Sequence, residues 1–249
     1  MPDTPVVAIV FAGGTGSRMR SASAPKQFLP VEGRPLLIHT LEHFEENPRV
    51  SGIYLACIEP YLEDAWAMAD RFGMRKVRAV VPGGSTAQRS AFNAMTAALE
   101  DGVPEHAVAL VHDGVRPVIT QDLIDRNIDS ALDRGNAVTS IPCFETIAMS
   151  LDEARTIDSV TQRSLMYILQ APQTFRLGVA HRLNARSLAD GLLGSFVDQA
   201  HLMKHYGEDL HMVPGFRGNV KITTDFDLMQ FRLLIESGQL RSATGGHLV

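Results

Sequence analysis

The sequence predicts an α/β protein built on a mostly parallel sheet. Three observations predict it: short continuous apolar runs recur along the chain, segments of helical periodicity separate them, and glycine or Asp-Gly closes several runs. Apolar runs without alternation suit strands covered on both faces. Helices between such strands give right-handed crossovers and a parallel sheet.

The elements follow in order. Val6 to Phe11 reads as the first strand, ended by Ala12-Gly13-Gly14, and Leu36 to Glu45 as an amphipathic helix. Ile53 to Ile58 is a buried strand and Tyr61 to Phe72 a helix. Val77 to Val81 is a strand broken by Pro82-Gly83-Gly84, and Ser85 to Leu99 is helical, with Ser85 or Thr86 placed to cap it. Ala107 to His112 is a strand closed by Asp113-Gly114, Asp122 to Leu132 a helix, and Ala137 to Ile141 a strand. From Thr146 to Tyr167 only short β-like pieces flank a polar turn at Asp152-Glu153, which reads as a hairpin or arm. Leu177 to Leu188 and Asp198 to His205 look helical, and His211 to Val213 and Val220 to Ile222 look like late strands. Asp225 to Ser237 is a closing helix with Thr224 or Asp225 as N-cap. No repeat, linker or boundary divides the chain, so one domain over residues 1–249 is expected.

Composition narrows the function classes. The chain is 45% hydrophobic and 20% charged, ordinary for a globular protein. A net charge of −5 offers no general basic face, so no nucleic-acid partner is expected. Local Lys and Arg can still build a positive pocket for small anions. Cys57 and Cys143 form neither a metal pair nor a disulfide framework, and the run from Val6 is too short to span a membrane. A cytoplasmic protein with no membrane partner is the expectation.

Ligands of open parallel sheets bind where strands end at their carboxyl side. The first such loop runs Ala12-Gly13-Gly14-Thr15-Gly16-Ser17-Arg18, with Lys26 downstream. Its glycines let backbone N–H groups approach phosphate oxygens, and Arg18 and Lys26 add cations. Met19 replaces the third glycine of a dinucleotide fingerprint, and no Gly-Lys-Ser/Thr follows, so neither a Rossmann dehydrogenase nor a Walker loop fits well. The second loop, Pro82 to Ser90, offers Gly83 and Gly84 for close approach and hydroxyls at Ser85, Thr86 and Ser90. The third, His112 to Pro117, places Asp113 to reach a ribose or metal ion and Arg116 to reach a substrate phosphate. Lys221 falls inside an expected buried strand, where a lysine is costly unless it faces a ligand or carboxylate. His39, His112 and His201 lack ligand-like spacing and read as satisfied structural residues.

At these residues the sequence resembles the cytidylyltransferases that act on ribitol 5-phosphate or 2-C-methyl-D-erythritol 4-phosphate. The words carrying the resemblance are AGGTGSRM, PKQFLPVEGRPLLIHTLEHF, PGG, HDGVRP, QAPQTFR and NVKITTDFDL, in that order from Val7 to about Ile235. The resemblance implies a Rossmann-like nucleotidyltransferase domain of three αβα layers. It also implies a protruding β-arm, here residues 142–170, that serves a homodimer, and the use of CTP with Mg²⁺. By position, Ala12, Gly13, Gly14 and Gly16 would wrap the nucleotide, Arg18 and Lys26 would hold the triphosphate, and Gly83, Gly84 and Ser90 would meet cytosine and ribose. Asp113 would lie near ribose and metal, and Thr146, Arg163 and Lys221 would bind the polyol phosphate, with Arg163 acting either within its own chain or as a donation from the partner's arm. Departures are Ser85 in place of an acidic residue, Ala148 at the end of the arm word, and Ala171-Pro172-Gln173 for Thr-Pro-Gln. Gly114-Val115-Arg116-Pro117 leans toward the ribitol type.

The implied reaction is in-line attack of the polyol phosphate on the α-phosphorus of CTP, with pyrophosphate leaving. A phosphate monoester is already a nucleophile, so the protein supplies position and charge rather than a base, with Arg18, Lys26 and Lys221 as the catalytic cations. The rival of another class is a nucleotide-binding protein without turnover. A uridylyl- or guanylyltransferase of related fold is a further rival.

Overall fold

The computed structural model describes residues 4–13, 25–153 and 155–238. Strand β1 (Val6–Ala12) is followed by a short ribbon, β2 (Pro30–Val31) with β3 (Arg34–Pro35), and by helix α1 (Leu36–Glu46). The alternation continues through β4 (Gly52–Cys57), α2 (Leu62–Arg71), β5 (Val77–Pro82), α3 (Ala87–Glu100), β6 (Val108–Asp113) and α4 (Gln121–Arg134). Next come β7 (Asn136–Pro142), a small hairpin of β8 (Ala148–Met149) and β9 (Ser159–Val160), and the long β10 (Tyr167–Arg176). The chain closes with α5 (Leu177–Ala189), α6 (Gln199–His205), β11 (Met212–Pro214) and α7 (Asp225–Glu236).

Seven strands form one sheet in the order β11-β7-β10-β6-β1-β4-β5. β1 pairs in parallel with β4 and β6, and β5 and β11 pair in parallel with β4 and β7. Side chains of successive strand residues point to opposite faces, and the two cores follow that alternation. Val6, Ala8 and Val10 pack with Leu37, Ile38 and Leu41 of α1, Ala65 of α2, and Ile124 and Ile128 of α4. Val7 and Ile9 pack on the other face with Ala91 and Met95 of α3, Leu177 of α5 and Met203 of α6. This is a three-layer αβα, Rossmann-like arrangement. A third, smaller core seats α7 through Leu228 and Phe231 against Val31, Leu36, Val118 and Ile222.

The helix starts have local causes. Thr86, Thr120 and Asp198 each accept a hydrogen bond from a backbone N–H of the first turn of α3, α4 and α6. Thr224 and Asp227 complete a reciprocal capping box on α7, so Thr224 rather than Asp225 is its N-cap.

Two expectations fail. Residues 167–176 carry no strong strand signal, yet they form an antiparallel strand in the middle of the sheet, between β6 and β7. Pro172 and Gln173 hide it. The register against β7 shifts between Leu169 and Gln173, and Pro172 sits in that break, where a missing N–H costs no ladder bond. β10 also takes over the last residues of the expected arm, leaving 143–166 outside the main sheet with only the two-residue strands β8 and β9. The second failure is Val220 to Ile222, which is irregular backbone rather than a strand. Ile222 is fully buried in the third core and donates its N–H to the carbonyl of Val115 at 2.8 Å. The buried apolar position here is that one anchor, while Val220 is exposed.

Candidate active site

The carboxyl ends of β1, β4, β5 and β6 stand side by side, and the loops that follow β1, β5 and β6 meet there. Gly13 and Gly83 touch backbone to backbone: a Cβ on Gly83 would lie 3.2 Å from the Cα of Gly13 and 3.1 Å from the carbonyl oxygen of Cys57. A Cβ on Gly13 would lie 2.7 Å from Ser90 Oγ. The two loops are glycine-built because side chains would drive them apart. Ser90 braces the second loop from α3, accepting from the N–H of Gly84 at 2.9 Å and donating to the carbonyl of Thr86 at 3.0 Å. Its hydroxyl therefore holds the loop that carries Gly83 and Gly84. Ala12 ends β1 as a buried residue, its carbonyl accepting from the Gln27 amide at 2.7 Å. Gly14, Gly16 and Arg18 lie outside the described residues.

Beyond the first loop Lys26 turns inward and donates to the carbonyl of Ile222 at 3.0 Å. The loop after β6 holds the densest charge. Asp113 is buried at the end of β6; Lys221 Nζ lies 2.5 Å from its Oδ1 and Arg116 Nε 3.2 Å from its Oδ2. Burial pushes the Asp113 carboxyl up, but the Lys221 and Arg116 charges more than reverse this and hold it at about 2. The group is a carboxylate at all working pH values. Arg116 also donates to the carbonyl of Asn219 at 2.7 Å, so its guanidinium braces the turn as well as facing the cavity. The expected phosphate ligand Arg116 is thus committed to protein groups on two sides. Lys221, with 38% of its side chain exposed, is the more open cation.

A cavity of about 190 Å³ opens beside this cluster, lined by Phe11, Asp113, Arg116 and Lys221 together with Gln88, Gln173, Asp198 and Gln199. Gln170, Ala171 and Val197 are also part of its wall. None of Gln88, Gln173, Asp198 and Gln199 stood out in the sequence as a site residue. The available signals were Asp198 at an N-cap position and the paired glutamines of QAPQTFR, hidden in a strand that had no strand pattern.

Thr146 and Arg163 are exposed on the arm, and the described hydrogen bonds and ion pairs join neither to Asp113, Lys221 or Lys26. The arm exposes Ile147, Met149, Leu151, Ile157, Val160 and Leu165.

Two buried histidines support the β6 turn. His112 Nε2 donates to the carbonyl of Arg116 at 3.0 Å and His43 Nε2 to that of Pro117 at 2.8 Å. His112 is not fully satisfied as expected, because its Nδ1 is buried with no partner among the described residues. His39 does find a partner in the carbonyl of Val31. Burial pushes His43 and His112 down to about 4 each, against backbone hydrogen bonds that favour their protonated forms. Between about pH 6.5 and 4 the unfolded chain therefore binds protons that the folded chain does not, and stability falls as pH falls. Each histidine contributes about 1.4 kcal/mol per pH unit in that window. Denaturant unfolding at pH 7, 6 and 5 is expected to show this loss, and His112→Gln to shallow the slope by about one proton. An unchanged slope would mean that His112 titrates normally in the fold.

The comparisons with known proteins agree on a cytidylyltransferase and differ in the acceptor named. The family model IspD, 2-C-methyl-D-erythritol 4-phosphate cytidylyltransferase, matches residues 6–237. A protein named ribitol-5-phosphate cytidylyltransferase from Vibrio parahaemolyticus is 37% identical over 93% of this chain and 96% of its own length. A 2-C-methyl-D-erythritol 4-phosphate cytidylyltransferase from Geotalea uraniireducens is likewise 37% identical, over 93% of this chain and 97% of its own. Among solved structures, the 2-C-methyl-D-erythritol 4-phosphate cytidylyltransferase of Thermus thermophilus superposes with a TM-score of 0.74 at 26% identity, covering 93% of this chain and 99% of that one.

Proposed function

The chain belongs to the 2-C-methyl-D-erythritol 4-phosphate cytidylyltransferase family, and from that premise we propose that its acceptor is ribitol 5-phosphate. It is a cytidylyltransferase acting on a polyol phosphate. The observation that carries the site assignment is the Asp113–Lys221–Arg116 cluster beside the cavity, at the end of the strand next to β1 and its glycine loop. Gly13, Gly83 and Gly84 give the nucleotide close backbone approach. Lys26 faces the triphosphate, and Arg18, which lies outside the described residues, is expected to join it. Lys221 receives the acceptor phosphate, and the hydroxyl chain lies along Gln88, Gln173 and Asp198.

An oxygen of the acceptor phosphate attacks the α-phosphorus of CTP. A new P–O–P bridge forms, the bond from the α-phosphorus to the β-phosphate bridge oxygen breaks, and pyrophosphate leaves with that electron pair. The protein contributes alignment and positive charge at the transferring phosphates. Mg²⁺ belongs with CTP as part of the substrate complex. Asp113 does not fit as a resident metal ligand, since both its oxygens face cations and no group of three His, Cys, Asp or Glu residues suited to a metal occurs among the described residues.

Ribitol 5-phosphate is favoured by the Gly114-Val115-Arg116-Pro117 turn and by relatives of that name from Vibrio parahaemolyticus and Streptococcus agalactiae, at 37% and 36% identity. The second reading, 2-C-methyl-D-erythritol 4-phosphate, is favoured by the family model and the Geotalea relative. Pyrophosphate release, measured with each nucleoside triphosphate against both acceptors, decides. Turnover is expected with CTP, and kcat/KM at least about tenfold higher with ribitol 5-phosphate, a preference worth about 1.4 kcal/mol. The reverse ratio moves the chain to the second reading, and CTP binding without pyrophosphate release makes it a non-catalytic binder.

The exposed apolar side chains of residues 143–166 support a homodimer made through the arm, with Thr146 and Arg163 delivered to the partner's acceptor site. Sedimentation velocity showing only single chains at working concentration contradicts that assembly. Both cysteines are free and buried, which fits a reducing cytoplasm.

A further inference from the structure

We propose that Gln170 and Asn219 form a two-amide clamp whose task is to place Lys221. This rests on the acceptor-site reading of Lys221 and names the residues through which that site is held in shape.

Lys221 sits in residues 215–222, a stretch with neither helix nor strand, so no ladder of backbone bonds sets its position. Apart from the Ile222 N–H bond to the carbonyl of Val115, side chains do this. Gln170 Nε2, from β10, donates to the carbonyls of Phe216 at 3.0 Å and Asn219 at 3.1 Å, spending both its hydrogens on one loop. Asn219 Nδ2 donates back to the carbonyl of Ala171 at 2.7 Å. The two amides thus cross between β10 and the loop in opposite directions. Arg116 reaches the same Asn219 carbonyl at 2.7 Å while holding Asp113, so the clamp and the charge cluster share one atom. Gly215 is part of the arrangement, since a Cβ there would lie 2.3 Å from Gln170 Oε1.

The clamp is not built for stability alone. Gln170 Oε1 and Asn219 Oδ1 are both buried without a hydrogen-bond partner among the described residues. Buried unpaired oxygens are costly, so each amide carries a burial penalty against the bonds its N–H groups make. What the two amides gain is a fixed loop two residues from Lys221, facing a carboxylate at 2.5 Å. Misplacement of a reacting group by about an ångström costs on the order of 10²-fold in rate, so a small shift of this loop is felt in turnover.

The test uses Gln170→Met and Asn219→Ala in the full chain, with whichever polyol phosphate the wild type turns over. Expected are a fall of about 10- to 100-fold in kcat/KM for the acceptor and a KM for CTP within about twofold of wild type. In a Lys221→Ala background the same substitutions are expected to add almost nothing, because the clamp acts through the lysine. A third readout needs no substrate: the rate at which acetic anhydride labels the Lys221 amine, followed by mass spectrometry, is expected to rise severalfold while Lys76 and Lys204 are unchanged. Equal losses toward both substrates, losses that persist undiminished without Lys221, or an unchanged Lys221 labelling rate would each overturn the proposal. So would loss of the fold in both variants, which would make the clamp a stability element. Absence of turnover with either acceptor in the wild type would instead count against the acceptor-site reading, and the labelling result would stand on its own.

Discussion

Lys221→Ala is expected to lower kcat by about 10²- to 10³-fold, the range found when a single preorganised charge or donor is removed from a transferring group. The argument is geometric. Lys221 Nζ is held 2.5 Å from the buried Asp113 and remains partly open to the cavity, so it is charged, fixed and reachable. An acceptor phosphate approaching the α-phosphate brings two anions together, and the Lys221 ammonium is the cation placed between Asp113 and that space. The fold is expected to survive, because Asp113 keeps Arg116 as a partner. Lys221→Arg is expected to recover only part of the rate, since a guanidinium cannot take the ammonium's place at a single oxygen. Single-turnover pyrophosphate release with circular dichroism as a fold check measures this. A variant within threefold of wild type would remove Lys221 from the mechanism.

Asp113→Asn is expected to have the largest effect on stability together with a severe loss of activity. The substitution leaves Lys221 and Arg116 facing each other across a neutral amide at a nearly buried site. Removing one member of a buried charge cluster costs about 3–5 kcal/mol, because the remaining charges are uncompensated. The pH dependence identifies the cause. The folded carboxyl lies at about 2, below its ordinary value near 4, so its stabilisation is complete above pH 4 and fades as pH falls from about 4 toward 2. The stability gap between wild type and Asp113→Asn is therefore expected to be wide at pH 7 and to narrow over that acid window. A gap independent of pH would point to packing rather than charge. In activity, Asp113→Asn frees Lys221 from its anchor, so kcat is expected to fall although the lysine is still present.

Much of the fold was legible because its physics is local. β1, β4 and β6 are uninterrupted apolar runs, covered on both faces, and the helices between them carry stripes that match the two cores. The loops after β1, β5 and β6 were legible for a related reason: glycines, Asp113 and Arg116 break otherwise apolar patterns. β10 was not, since Pro172 and two glutamines suppress its strand signal and only the neighbouring strands β6 and β7 supply its pairing. Lys221 drew notice for a mistaken reason. It lies in irregular backbone, not a strand, and the price of its charge is offset by Asp113, a residue far away in sequence. Ser90 and Arg116 were read as ligand contacts; their hydrogen bonds also brace the loops that surround the site, a role the sequence does not display. Sequence indicates which polar groups gather at a site; only the packed chain divides those that face a ligand from those that hold the walls.

The bond from Lys26 to the carbonyl of Ile222 joins positions 196 residues apart. Its consequence concerns the chain as it is being made. A ribosome-bound chain shorter than residue 221 has neither Lys221 nor the Ile222 carbonyl that anchors Lys26, even if its first parallel strands have already paired. Under the roles proposed for Lys26 and Lys221, CTP turnover is therefore expected only of chains that extend past residue 222.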